Sequence, residues 1–366
     1  MNALGVGAVA LGAIGCAARP AVTASDGSVA LGVGALPGKP GYEGMRRGLE
    51  LAVTRLNEAH TVTFRLQLPA AGSTSVVRIA EQLRSNPGVV GVIGHPESGN
   101  TLEALPIYAD AEHAGADPVV VVSPTASSPR LSGISPWFFR VAPSDDNAAQ
   151  FVARWVLDSL KSLSAAVIYR NDSYGREWSN TFSREFEKHA GIIVERDPYL
   201  TGITEWTAYA QLIARRHPDV LLFPGDAADA VEMLRALKEA HVNIPFVGGD
   251  GTEGMRSSPD AKGARFVAFF RPERATGGEG KLFLKRYHDA YHDEPDMFAA
   301  LSYDAALAIG RSVLAGARTR VAVKEALERL GHGTAPIEGV VGPIAFERNH
   351  NIAGRSVVVT TIGATP

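Results

Sequence analysis

Residues 89–105 read VVGVIGHPESGNTLEAL, and the order of structure they imply decides the fold. Val89 to Gly94 run without a polar break, so neither face of that segment is made to meet water. A strand of this kind suits a parallel sheet covered by helices on both sides. The character then changes. His95 to Gly99 form a polar loop around Pro96, and a helical pattern opens in which Asn100 is expected to cap, with Glu103 three residues on. Ser98 and Gly99 then stand at a helix N-terminus, where free N–H groups and the dipole favour an anion such as a carboxylate. Plain capping is the other reading of the same residues.

The unit repeats along the chain. VALGVGA from Val29, FRLQL from Phe64 and PVVVVS from Pro118 join VVGVIG in one series of strands. AAVIY from Ala165, IIVERD from Ile192, DVLLF from Asp219 and IPFVGG from Ile244 make a second. Helical periods lie between them. In GMRRGLELAVTRLNEA, Met45, Leu49, Ala52, Val53 and Leu56 share one face, and Arg46, Arg47, Glu50 and Arg55 the other. EWTAYAQLIARRH and ADAVEMLRALKEA behave alike. The expected fold class is α/β, with two doubly wound Rossmann-like lobes of four strands each.

Residues 278–330 are a helical block, followed by strand-like GPIAFE and RSVVVTTIG. Such a block completes an earlier domain, so the chain is expected to cross a hinge between lobes more than once. The expected limits are residues 29–143 plus 274–352 for the first lobe and 144–273 plus 353–366 for the second.

Composition narrows the function classes. A chain of 366 residues is too long for one ordinary core, and 45% hydrophobic with 20% charged residues is globular. A formal net charge of -3, with Lys and Arg scattered, offers no electrostatic footprint for nucleic acid. Cys16 is the one cysteine, so no intrachain disulfide forms. Residues 3–15, ALGVGAVALGAIG, are apolar but too short to span a bilayer. They have the proportions of a signal peptide over residues 1–15, although no Lys or Arg precedes them. Ala13-Ile14-Gly15-Cys16 resembles a bacterial lipobox, which implies lipidation at Cys16 and a tether over residues 16–28. No other segment is expected to be long and apolar enough to cross a membrane.

Catalytic motifs fail on inspection. A phosphate loop needs glycine where Val33 stands and Ser or Thr where Pro40 stands, and Pro37 occupies the third glycine of a dinucleotide fingerprint. His288 and His292 have metal-ligand spacing but sit on a charged, solvated face. No serine lies in a nucleophile elbow. The expectation is no enzyme, no cofactor and no metal. What remains are hydroxyl-rich loops at strand ends: VVSPTASSPRLSG (121–133) with Thr125 and Ser127, RNDSYGREW with Tyr174 at a helix start, and Asp250-Gly251 after IPFVGG.

At these loops the chain resembles the type I periplasmic solute-binding proteins of ABC importers, in the branched-chain amino acid (Leu/Ile/Val) group. The likeness runs from about Val29 to Gly363. It rests on GMRRGLELAVTRLNEA, VVGVIGHPESGNTLEALPIYADAE, VVSPTASSPRLSG with FFRVAPSDDNAAQ, NDSYGREW, PFVGGDG, and YDAALAI with GVVGPIAFERN. The resemblance implies a free amino acid held between two lobes, with Ser98, Thr125 and Ser127 meeting it from the first. It implies Asp250 on the ammonium and Tyr174 as an aromatic at the cleft. A permease and its ATPase are the implied partners, with an extracytoplasmic, lipid-anchored location; a sensory protein of the same fold is the alternative.

Three departures bear on the ligand. Asp226 stands where leucine-binding members carry a tyrosine, Glu97 replaces a small residue beside Ser98, and EAHTV replaces a Gly-Gly turn. Carboxylates beside an aliphatic side chain are costly without partners. The expected ligand is therefore polar or cationic.

Overall fold

The computed structural model describes residues 28–202 and 205–363. Cys16 and the expected signal segment lie outside the described residues. The first sheet has five parallel strands in the order β2-β1-β3-β4-β5. These are β1 (Val29–Gly34), β2 (Phe64–Gln67), β3 (Val89–Gly94), β4 (Val120–Ser123) and β5 (Phe138–Arg140), with helices α1 (Tyr42–Asn57), α2 (Val76–Ser85) and α3 (Ser98–Tyr108) between them. The second lobe opens with α4 (Asp145–Ser159) and continues through β6 (Ser164–Arg170), α5 (Ser173–Lys188), β7 (Ile192–Tyr199), α6 (Trp206–Arg216), β8 (Val220–Phe223), α7 (Ala227–Glu239), β9 (Phe246–Gly248) and β10 (Arg265–Ala268). Helices α8 (Gly278–Tyr291), α9 (Met297–Leu314) and α10 (Arg320–Arg329) follow, then a ribbon of β11 (Ile337–Glu338) and β12 (Pro343–Ile344), and last β13 (Val358–Thr361). The second sheet runs β13-β10-β9-β8-β6-β7, with β13 alone antiparallel.

Both faces of the first sheet are buried, as its apolar strands require. Val29, Leu31 and Val33 of β1 join Met45, Leu49, Ala52 and Leu56 of α1 in one core, while Ala30 joins Ile79 and Leu83 of α2 in another. Helix α9 packs along α1, closely enough that a Cβ on Gly48 would stand 2.1 Å from the Ala299 carbonyl oxygen. That glycine is what lets the helices touch. Through α9 the helical block returns to the first lobe.

Several expectations need correction. The sheets hold five and six strands rather than four each, because the short segments 138–140 and 265–268 add strands and β13 joins the second sheet. GPIAFE supplies only Pro343–Ile344, paired with the two residues of β11. Helix α9 is also long and apolar enough to span a bilayer, contrary to the expectation that no later segment is. Its burial between α1 and the sheet accounts for that composition: it is a core helix.

The chain leaves the first sheet for the second through residues 141–144, leaves β10 for the helical block through 269–277, and re-enters the second sheet at β13 through the segment ending at 357. One buried ion pair binds the outer two passages together. Arg355 contacts the Asp304 carboxylate of α9 at 2.5 Å and donates to the Val141 carbonyl at 2.8 Å. Asp304 also accepts from the backbone N–H groups of Val340 (2.6 Å) and Val341 (3.2 Å).

Candidate functional site

In sheets of this topology a crevice opens beyond the carboxyl ends of the strands, where the strand order reverses. That point lies between β1 and β3 in the first sheet and between β6 and β8 in the second. A cavity of about 800 Å³ occupies it. Glu97 and Ser98 reach it from the end of β3, Thr125 and Ser127 from the end of β4, Tyr174 from the start of α5, Asp226 from the residue before α7, and Asp250 from the end of β9. Every ligand-binding residue expected from the sequence lines this one space, and the two lobes face each other across it.

The hydroxyl loop after β4 is held open from behind. Arg140, at the end of β5, donates to the Ser128 carbonyl at 2.8 Å, to Ser132 Oγ at 2.6 Å and to Asn351 Oδ1 at 2.8 Å. A buried guanidinium thereby does the work of a turn, keeping Thr125 and Ser127 at the cavity. Helix α3 starts three residues earlier than the expected cap at Asn100 implies. Its first residue is Ser98 and Glu97 precedes it, so Asn100 does not cap; its Nδ2 donates to Glu97 Oε2 at 3.2 Å. Ser98 and its neighbours still present the free N–H groups of a helix start.

Hydrogen bonding assigns directions to the hydroxyls. Ser98 Oγ accepts from Ser128 N–H at 3.1 Å, so its own proton is left to donate, which suits a carboxylate. Thr125 donates its proton to the Pro96 carbonyl at 2.8 Å and keeps lone pairs, which suit an ammonium. Asp250 accepts from the Tyr174 hydroxyl at 3.0 Å, and Tyr174 in turn accepts from Gly251 N–H at 3.3 Å. Gly249 permits this: a Cβ there would stand 2.2 Å from the Tyr174 oxygen. Burial pushes Asp250 up to about 6, against the pull of the Tyr174 hydrogen bond. Burial and the Asp250 and Asp145 charges raise Tyr174.

Four residues escaped the sequence reading. Arg170, the last residue of β6, pairs with Asp226 and, at 2.5 Å, with Asp172. Asp226 is therefore not an unpartnered carboxylate, which corrects part of the argument made for it. A cation ending an otherwise apolar strand was the legible sign. Asp145, fully buried beside Ser127, is held well above the usual carboxylate range by burial and by Asp250. Glu253, raised to about 7 by burial, accepts from Met297 N–H at 3.2 Å and so joins the second lobe to the start of α9. Arg140 is the fourth. His288 and His292 stand exposed at α8, and among the described residues no His, Cys, Asp or Glu cluster is arranged to hold a metal ion.

The geometry of two covered sheets about one polar crevice has close counterparts. The chain is 21% identical over 314 residues to Leu/Ile/Val-binding protein homolog 1 of Brucella suis, covering 83% of this chain and 81% of that protein. Among solved structures it is similar to the branched-chain amino acid transporter substrate-binding protein of Streptococcus pneumoniae in complex with isoleucine, with a TM-score of 0.81, 21% identity, and 91% and 96% of the two chains covered. It is also similar to an ABC transporter substrate-binding protein of Desulfitobacterium hafniense in complex with Leu, with a TM-score of 0.77, 25% identity, and 91% and 97% covered. The periplasmic binding protein family profile matches residues 37–365, nearly the whole described chain. Fold, crevice and profile agree, and the chain belongs to the periplasmic binding protein family.

Proposed function

We propose that the chain is the extracytoplasmic substrate-binding component of an ABC importer, capturing an amino acid or a related small polar solute between its lobes and delivering it to a permease driven by a separate ATPase. The observation that carries this reading is the pairing, in one cavity, of a donor set for a carboxylate at Ser98 with an acceptor set for an ammonium at Thr125 and Asp250. Relatives described as binding isoleucine and leucine support it. The family consists of binding proteins and not enzymes, and it works outside the cytoplasm. Lipid anchoring through Cys16 and the lobe limits given above belong to the same proposal. A thermal-shift screen of amino acids, amides, urea and polyamines tests it; no stabilisation by any amino acid rejects it.

Closure removes water from the ligand's charges, so each protein partner must replace hydration. Ser127→Ala is expected to weaken amino acid binding by about 1–2 kcal/mol, the scale of one hydrogen bond to a charged group, as titration calorimetry measures.

The raised pKa of Asp250 fixes a pH dependence. An ammonium binds the ionised form, so affinity is full above about pH 6 and falls as pH drops through that value, roughly tenfold per unit. Stability moves the other way. Because the folded pKa exceeds the usual 3.8, ionised Asp250 costs the ligand-free protein stability, and that cost is relieved as pH falls from about 6 towards 4. Arg170, Tyr174 and Asp145 surround the group, and Glu253 titrates nearby at about 7, so the transition is best read in a Glu253→Gln background. Affinity independent of pH between 5 and 8 rejects the assignment.

A further inference from the structure

The cavity carries more negative charge than the reading above uses. Its lining holds nine Asp or Glu residues against three cations, Arg47, Arg170 and Arg256. A free amino acid brings an ammonium and a carboxylate that cancel, so the imbalance asks for a further positive group.

The place for that group is set by two carboxylates on opposite lobes. Glu97 stands on the first lobe, before α3, and Asp226 on the second, before α7. Arg170 lies between them in charge but does not neutralise them. It is already paired with Asp226 and with Asp172, and its side chain is only 12% exposed. That triad sums to one negative charge, and Glu97 adds another. The effect is felt at Glu97: burial raises its pKa, and the pull of Arg170 and, more weakly, of Lys39 is opposed by Asp226 and Asp172. Its described donor is a single neutral amide, that of Asn100.

Three kinds of ligand tail can then be compared. An aliphatic tail strips water from both carboxylates and returns no hydrogen bond. An acidic tail adds a third like charge. A cation with N–H donors pointing in several directions satisfies carboxylates on both lobes and gains as they approach. Arg170 keeps Asp226 fixed, so the acceptor is ready before the ligand arrives.

We infer that the cleft selects an amino acid with a cationic, multi-donor side chain, a guanidinium or a primary ammonium, gripped between Glu97 of the first lobe and Asp226 of the second. This inference rests on the reading of the cavity as an amino acid site. It makes two of the three departures noted in the sequence, Glu97 and Asp226, a matched pair, one jaw on each lobe.

L-arginine and L-citrulline test it, because they share length and shape and differ in charge. By titration calorimetry, L-arginine is expected to bind about 10- to 100-fold more tightly, the scale of a hydrogen bond made by a charged group. Glu97→Gln is expected to lower the arginine-to-citrulline ratio by about tenfold, and Asp226→Asn likewise, a readout that general loosening of the cleft does not move. Thermal melts of both variants establish folding. Equal affinity for the two probes, or L-leucine binding more tightly than L-arginine, overturns the inference and leaves the amino acid reading standing. Absence of binding by L-arginine, L-citrulline, L-glutamine and L-leucine alike overturns both.

Discussion

Asp250→Ala is expected to weaken amino acid binding by about 3–5 kcal/mol, on the order of 10² to 10⁴ in Kd, the largest effect of any single change in the cleft. The carboxylate is 3% exposed, and its described side-chain donor is the Tyr174 hydroxyl at 3.0 Å. When the lobes close on an ammonium, the ligand's charge is buried where no water can replace the missing partner. Asp250→Asn keeps the shape and loses the charge, so it should fall nearly as far. Titration at pH 8 is the right measurement, since Asp250 and Glu253 are then both ionised. An affinity within a few-fold of the parent would sink the assignment.

The second large effect is on stability. Asp304→Leu is expected to cost about 3–5 kcal/mol in urea unfolding, because Arg355, 2% exposed, is left as a buried cation without its carboxylate. The N–H groups of Val340 and Val341 lose their acceptor at the same time. The paired change Asp304→Leu with Arg355→Met should lie closer to the parent than Asp304→Leu alone, since apolar groups of similar volume replace the buried pair without leaving a charge behind. Single variants costing under about 1 kcal/mol would show that the pair is dispensable.

Much of this architecture was legible because the physics is local. VVGVIG reads as a doubly covered strand from six residues alone, and the apolar stripe of α1 from its period. Segments 138–140 and 265–268 were not legible as strands: Arg140 ends one short apolar run and Arg265 opens the other. Arg140 is buried because it bonds to a loop eight to fourteen residues before it and to Asn351, far along the chain. No window of sequence contains that partner set. The site divides in the same way. Ser98, Thr125, Ser127, Tyr174 and Asp250 follow strand ends, so their convergence comes from topology. The pairing of Arg170 with Asp226 joins different strand ends, which only the folded chain brings together.

The passages between the lobes hold a last implication. With three chain segments joining the halves, and the outer two tied through Arg355, the arrangement suits a hinge in which one half swings against the other like a door on its pins. Occupancy is then written in a single angle. Under the importer role proposed above, a permease need only gauge the spacing of two surfaces, without sampling the guest, to tell a loaded courier from an empty one.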